Sequence, residues 1–176
     1  MEFDNVVTQG IVSKLQFGKM TSFYYKRTEE HIRRVRDNLK LIVETNHPLL
    51  DNAVLLLRCQ THDLSKWQPP EHDPYIWMTW YYREKDNGFE YPCGVEEQIE
   101  QATYHHIRHN RHHTGFHTSP KDMTNEDVAE MICDHAAMSQ ELGSSLIDWT
   151  KSNTVVKDFD LKQINLIWEL VYCFEK

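Results

Sequence analysis

Apolar side chains recur along this chain at helical intervals, and no segment shows the convincing alternation of apolar and polar positions that marks a strand. The clearest stripe runs through residues 28–46, where apolar residues such as Val35 and Leu39 follow at steps of three and four. This spacing predicts an amphipathic helix with Thr28 as its N-cap. The helix is predicted to end just before Pro48.

A second helix is predicted to begin near Asp51 and to bring the adjacent pair His62-Asp63 to its C-terminal end. Further helical segments are predicted over residues 74–85 and 95–109, after the N-cap Thr124, around Trp149, and after the N-cap Asp160. In the last of them, the residues predicted to face inward are Leu161, Ile164, Trp168 and Val171. The sum is an all-α chain, and its 176 residues fit one domain built as a helical bundle.

The aromatic residues between positions 75 and 82 have two interpretations. They are predicted to pack in the core, since an aromatic stripe at helical spacing is usually buried, and stacking on a nucleobase is the alternative. The four cysteines are separated by tens of residues, so they are predicted to be buried, reduced thiols and not a disulfide framework or a zinc ribbon.

The charge balance limits the classes of partner. Lys and Arg number 19 against 27 Asp and Glu, which leaves a formal charge of −8 that repels a nucleic-acid backbone. A small phosphate ester could still bind, because a bound metal cation dominates the local field. No apolar run approaches the ~20 residues of a membrane helix, and the N-terminus lacks an export signal. We therefore expect a cytoplasmic protein that binds neither membranes nor nucleic acids in general.

The one unusual feature of the composition is the high frequency of histidine, at 11 residues of 176. Four features stand out in chain order: His31, the pair His62-Asp63, a histidine cluster at 105–117, and Asp134. Imidazole and carboxylate together suit divalent Mn, Fe, Co, Ni or Zn, and the lack of nearby thiolates argues against a structural zinc site. Ligands from separate helices would meet in the core of a bundle.

This ordered pattern resembles the HD superfamily of metal-dependent phosphohydrolases. The resemblance is carried by His31-Ile-Arg-Arg-Val, by His62-Asp63-Leu-Ser-Lys66-Trp67, by His106 followed by Asn110 and His112-His113, and by Asp134 in Met-Ile-Cys-Asp. The chain looks closest to an uncharacterised HD-like family of phage and bacterial proteins. The similarity covers roughly residues 28–153, so we expect an N-terminal extension over 1–27 and an HD-like helical domain over 28–176.

The resemblance implies a metal-ligand set. His31, His62, Asp63 and Asp134 would hold a first ion, and Asp63 would bridge to a second. In two-metal members two further histidines bind the second ion, and the matching positions are His106 and one of the pair His112-His113, with His112 preferred. His105 and His109 lie on neighbouring helical positions, so the helix phase decides which histidine faces inward. One or two divalent transition metal ions are therefore the expected cofactors.

The resemblance also implies a function, namely hydrolysis of a small nucleotide or related phosphate ester, with a nucleoside monophosphate favoured. Asp63 and Lys66 would be catalytic, and Arg34, Asn110 and His113 would bind substrate. Two alternatives remain open. One is a di-iron oxygenase, since some HD proteins use the same ligand set to activate oxygen, and the other is a nucleotide-binding or host-interaction module without turnover.

Overall fold

The computed structural model describes residues 12–152 and 154–174. Regular structure in these residues is entirely helical, so the predicted all-α class is confirmed. The described residues contain seven α-helices, Lys14–Glu44 (α1), Asn52–Thr61 (α2), His72–Glu84 (α3), Val95–His109 (α4), Asn125–Leu142 (α5), Leu146–Ser152 (α6) and Leu161–Tyr172 (α7). Short 3-10 helices occupy Leu64–Trp67, Lys85–Asn87, Thr114–Phe116, Pro120–Asp122 and Thr154–Asp158. Across these ranges, no helix has the length and apolar character that crossing a membrane requires.

Capping residues set several helix boundaries where the sequence predicts them. Asp51 begins α2, and its carboxylate accepts hydrogen bonds from two backbone N–H groups of the first turn. At the start of α5 the Thr124 hydroxyl accepts from the backbone N–H of Asp127, and the Asp127 carboxylate accepts from the Thr124 N–H. Asp160 begins α7 with the same reciprocal pattern. Gly143 ends α5 with a φ of 63°, a left-handed conformation that glycine adopts at little cost.

The Thr124→Ala substitution should lower the free energy of unfolding by ~1 kcal/mol, because it removes the side-chain acceptor for an N–H that the helix itself cannot satisfy. Urea denaturation followed by circular dichroism measures this change. Ser144→Ala is the control, since Ser144 is exposed beyond the end of α5 and should change stability by less than ~0.5 kcal/mol. Equal losses in the two variants would show that the Thr124 cap contributes nothing specific.

The predicted start of the first helix at Thr28 is wrong. α1 begins directly after Ser13, whose hydroxyl accepts a hydrogen bond from a backbone N–H of the first turn. Thr28 is buried in the interior of the helix. Met20 and Tyr24 continue the apolar face toward the N-terminus and are almost completely buried. Tertiary packing therefore extends the helix well beyond the segment with the clearest periodicity.

The chain divides into two compact units. The first unit holds the described residues up to Glu30 together with Leu64–His109, and the second holds His31–Asp63 together with the described residues from Asn110 onward. The boundary expected at residues 27 and 28 falls inside α1. Residues 1–11 of the expected N-terminal extension lie outside the described residues.

The core of the first unit is aromatic. Tyr75, Trp77 and Trp80 on α3 are buried and pack with apolar residues of α1 and α4, among them Met20 and Ala102. The prediction that these aromatic residues pack in the core is therefore confirmed for the buried face of α3. Tyr82, two turns after Tyr75 and near the C-terminal end of the same helix, is exposed.

The core of the second unit is aliphatic and combines the C-terminal part of α1 with α2, α5 and α7. In α7 the predicted inward position of Leu161 is wrong, since that side chain is exposed. Gln163 is buried instead, and its amide donates to the backbone carbonyl of Met123 at 3.0 Å. This bond turns the first residue of α7 toward solvent.

The prediction for the cysteines is confirmed in part. All four are free thiols, and Cys59 and Cys133 are buried. The expected burial of Cys93 is wrong, because that residue is exposed, and Cys173 is only partly buried. Cys93 lies directly before Gly94 in the turn that leads into α4, where no helix face covers it.

Candidate metal centre

The adjacent residues His62 and Asp63 lie where α2 ends. His62 is the C-cap, and its backbone N–H donates to the carbonyl of Arg58. Asp63 has a φ of 56°, in the left-handed region that costs energy for residues with a side chain, although Asp tolerates it better than most. This backbone conformation turns the chain sharply and buries both side chains at the same place, with exposed fractions of 2% for His62 and 1% for Asp63.

Two further side chains come from long helices of the second unit. His31 lies on α1, one turn before the apolar residue Val35, and is buried. Asp134 lies on the face of α5 that also carries Glu130 one turn earlier. The Nε2 atom of His31 and the Oδ1 atom of Asp134 are 3.0 Å apart. The helical positions predicted for both residues are thus confirmed, and their side chains meet.

These residues and His112 form a cluster that we call the His62 cluster, with the members His31, His62, Asp63, His112 and Asp134. It contains two overlapping groups of possible ligand atoms, each with all atoms within 4.8 Å of one another. The first group is His31, His62 and Asp134, and the second is His62, Asp63 and His112. His62 belongs to both groups.

The spacing of the donor atoms fits a metal ion. The Nε2 atom of His62 lies 3.5 Å from Oδ2 of Asp63 and 3.9 Å from Oδ1 of Asp134. The Nε2 atom of His112 lies 3.6 Å from Oδ1 of Asp63. Bonds of ~2.0–2.2 Å to one divalent ion would place neighbouring donors roughly 2.8–3.6 Å apart. Contraction by a few tenths of an ångström would therefore convert the observed separations into coordination distances.

The two nitrogens of His62 have different environments, as a metal ligand requires. Its Nδ1 atom lies 2.9 Å from Oε1 of Glu130. Its Nε2 atom is buried and makes no hydrogen bond within the described ranges 12–152 and 154–174. A ligating histidine typically has one nitrogen held by a carboxylate or carbonyl and directs the other at the ion. The residues present thus fit a bound metal.

Glu130 is a residue of the candidate site that the sequence analysis missed. Its side chain is buried, and besides His62 it accepts a hydrogen bond from Nη1 of Arg58 at 3.1 Å. Burial alone would raise the pKa of Glu130, but hydrogen bonds and the charge of His112 and His62 lower the pKa to about 2. The available signal was its position four residues before Asp134, which places both carboxylates on one face of α5.

Asp127 is the second missed residue, and it anchors the loop that carries His112. Its fully buried carboxylate accepts two hydrogen bonds from the guanidinium of Arg111, at 3.0 and 2.8 Å, and one from Arg58 at 2.7 Å. The imidazole of His117 is hydrogen-bonded to the backbone carbonyl of Arg111 at 2.8 Å. Hydrogen bonds therefore hold the residues on both sides of His112 in place, and His117 contributes one of these bonds.

The electrostatics of the His62 cluster favour a cation. Burial would lower the pKa of His112, but the hydrogen bond that its ring donates to Glu130 and the charges of Asp63 and Asp134 raise the pKa to about 8. The pKa of Asp134 falls well below its ordinary value, because interactions with His31 outweigh the effect of burial. The carboxylates of Glu130 and Asp134 thus stay ionised beside the imidazoles, and a divalent ion would compensate their charge.

His135 adjoins the cluster along the chain and behaves differently. Burial lowers its pKa to about 4, so the ring is neutral at pH 7. Its ring centroid lies 3.7 Å from that of Trp149 on α6. It packs against Trp149, which in turn packs against the core of the second unit.

The residues predicted to bind substrate occupy three places in the second unit. Arg34 follows His31 by three residues on α1, and its Nη1 atom lies 3.9 Å from Oε2 of Glu141. The backbone carbonyl of Asn110 accepts a hydrogen bond from the N–H of His113 at 3.1 Å. The ring of His113 lies beside that of His112, with centroids 4.2 Å apart. Their roles in substrate binding stay predictions.

Two predicted site residues belong to the first unit. His106 is buried on α4, and its Nδ1 atom lies 2.8 Å from Oε2 of the fully buried Glu71. His105 is partly exposed and His109 is exposed, so the helix phase that the sequence left open turns His106 inward. The backbone carbonyl of Lys66 accepts a hydrogen bond from the Tyr24 hydroxyl at 2.6 Å. The ligand role of His106 and the catalytic role of Lys66 stay predictions.

The fold and the site together define an all-α protein with buried groups of histidine and aspartate that could hold a metal ion. Residues 20–166, most of the chain, match a described protein family, the Family of unknown function (DUF5662). The chain belongs to this family. Searches of curated proteins and of solved structures find no match.

Proposed function

We propose that this protein is a metal-dependent phosphohydrolase that acts on a small phosphate ester, with a nucleoside monophosphate as the favoured substrate. The observation that carries the proposal is the His62 cluster, in which two overlapping groups of imidazole and carboxylate donors, buried except for the partly buried Asp134, lie in a negatively charged environment. One or two divalent transition metal ions are the proposed cofactors.

The proposed chemistry is hydrolysis. A divalent ion supplies, when bound, a water molecule of lowered pKa and a Lewis acid for the phosphoryl oxygen. Four side chains of the cluster are buried, namely His31, His62, Asp63 and His112, and so is Glu130, the partner of His62. Asp134 is partly buried. Glu130 orients the ring of His62 through Nδ1, which leaves Nε2 as the donor to the ion.

Asp63 is proposed as a bridging and catalytic residue. Its Oδ2 atom lies 3.7 Å from His31 Nε2 and 3.5 Å from His62 Nε2, whereas its Oδ1 atom lies 3.6 Å from His112 Nε2. The two oxygens thus serve different sides of the cluster. A carboxylate in this arrangement could bind two ions and accept a hydrogen bond from the attacking water.

Substrate binding is proposed for Arg34, Asn110 and His113, and charge neutralisation at the phosphate for Lys66. These roles rest on the resemblance to HD phosphohydrolases. Phosphoryl transfer depends mainly on positioning and on positive charge near the equatorial oxygens, which Lys and Arg side chains provide. The same resemblance implies that His106 is a ligand of a second ion.

Elemental analysis of tag-free protein, followed by a screen of nucleoside monophosphates with an oxygen-uptake control, tests the proposal. Release of phosphate that requires a divalent ion and stops in His62→Ala would support it. Oxygen consumption with an oxidised product would favour the di-iron oxygenase instead. Metal or nucleotide binding without turnover of any phosphate ester would favour the non-catalytic binding module.

The Lys66→Ala variant should lower kcat for phosphate release by about 10²–10³, because it removes one positive charge that would stabilise the transition state. Its metal content should equal that of the unmodified protein, since a lysine ammonium is not a metal ligand. Lys40→Ala, which removes an exposed ammonium from α1, is the control and should retain full activity. An unchanged rate in Lys66→Ala would remove Lys66 from the mechanism.

A further inference from the structure

The first unit contains a cleft that has no part in the proposed hydrolysis. Its volume is about 830 Å³, and it lies between α3, the segment around residues 90 and 91, and α4. Pockets for small organic ligands typically have volumes of about 300–1,000 Å³. All residues that line it belong to the first unit, so this unit alone forms the cleft.

Aromatic rings dominate the walls of this cleft. Four tyrosines line it, namely Tyr81, Tyr82, Tyr91 and Tyr104. Tyr81 and Tyr91 stack with ring centroids 4.4 Å apart and an interplanar angle of 26°. Tyr82 and Tyr104 are 65% and 68% exposed, which is unusual for large aromatic side chains that serve only to pack. We call this site the tyrosine cleft.

The charged residues of the tyrosine cleft all have one sign. Three glutamates line it, namely Glu90, Glu96 and Glu100, and none of the described lining residues is Lys or Arg. Glu96, Glu100 and Tyr104 succeed one another at steps of four along α4, so they share one face of that helix. The pKa of the Tyr91 hydroxyl is raised, chiefly by burial and further by Tyr82, Tyr81 and Glu96, which is consistent with a negative environment.

A ring at the edge of the cleft already receives a cation from the protein. The ammonium nitrogen of Lys85 lies 5.6 Å from the centroid of the Tyr82 ring. This separation is within the range of a cation–π interaction. The Tyr82 ring thus presents an electron-rich face that a positive charge reaches.

We propose that the tyrosine cleft binds a small organic cation with an alkylated ammonium group. Tyrosine faces attract such a group through the ring quadrupole, and they also cover its methyl groups, which water solvates poorly. The glutamates add attraction over a longer range. Among the described residues no Lys or Arg lines the cleft, and the Lys85 ammonium lies beside Tyr82 at its edge. A neutral or anionic ligand of the same size would gain nothing from the carboxylates.

Choline and its uncharged isostere 3,3-dimethyl-1-butanol are the probes, because they have the same shape and differ in charge. Each has a nine-proton methyl singlet, so ligand-observed NMR titration of the full chain follows both in the same way. We expect choline to bind about 3- to 30-fold more tightly than the isostere, and to weaken as salt is raised. Equal affinity of the two probes, or no binding of choline at concentrations of about 20 mM, would overturn the proposal.

Two variants of cleft residues, each with a matched control, test whether choline binds in the tyrosine cleft. Tyr104→Leu and Glu100→Gln should each weaken choline binding by about 3-fold or more, and both residues are exposed, so the fold should be retained, as circular dichroism can verify. The matched controls are Tyr172→Leu, an exposed tyrosine of the second unit, and Glu97→Gln, an exposed neighbour on α4 that does not line the cleft. Weaker binding in the controls, or unchanged binding in both cleft variants, would rule out the tyrosine cleft as the site.

Discussion

The His62→Ala variant should lose its metal almost completely, with an affinity at least about 100-fold below that of the unmodified protein. His62 contributes to both groups of donor atoms, so a single substitution breaks both. The unmodified protein should gain about 2.7 kcal/mol of stability when the free metal concentration is 100 times Kd, whereas the variant should gain none at the same concentration. Elemental analysis after dialysis and thermal unfolding with and without metal measure the two effects.

The pair His47 and Glu169 provides the matched control. It is also a histidine beside a carboxylate, at 2.8 Å, but Glu169 is exposed and neither residue belongs to the His62 cluster. His47→Ala should therefore retain the metal content and the metal-induced rise in Tm. The same metal content in His62→Ala as in His47→Ala would contradict the assignment of the cluster as the metal centre.

The Glu130→Gln variant should bind metal about 10- to 100-fold more weakly without abolishing binding at high metal concentration. An amide has the shape of the carboxylate, but it lacks the charge that orients His62 and strengthens it as a ligand. The variant should also lose roughly 1–3 kcal/mol of stability in the absence of metal, because Arg58 and His112 lose a charged partner inside the protein.

Chelator competition measures the metal affinity of this variant, and urea denaturation of the metal-free protein measures its stability. Glu169→Gln is the control, since an exposed ion pair contributes at most ~1 kcal/mol and has no connection with the His62 cluster. Complete loss of metal in Glu130→Gln would indicate that Glu130 is itself a ligand. Unchanged affinity would show that it does not position His62.

The helices could largely be predicted because their signals are local. Asp51, Thr124 and Asp160 are capping residues, and each marks a helix start in the structure. Thr28 has the same chemistry and marks no boundary, because Met20 and Tyr24 extend the buried face of α1 past it. A residue of the N-cap type begins a helix only where packing does not favour helical structure in the residues before it.

The candidate site could be predicted in part. His31, His62, Asp63 and Asp134 were singled out from residue type and order, and His112 was preferred within the histidine cluster through the resemblance to HD phosphohydrolases. The structure brings these residues together. Glu130 was missed, and so was the role of Asp127 in anchoring the loop of His112, since glutamate and aspartate on a helix are usually solvated. What sets the two carboxylates apart is that both are buried and both are hydrogen-bonded to basic side chains.

By itself, the sequence determined the all-α class, most helix ends and the chemical types that could bind a metal, because apolar periodicity, caps and imidazole groups are properties of short segments. Only the tertiary structure decided that His31, His62 and Asp134 meet, and that His112 is held in place by a loop anchored on Asp127. Those relations join residues from α1, α2 and α5 that lie far apart in the chain. They depend on how helices pack, and the packing energy of a helix pair is a property of both surfaces together.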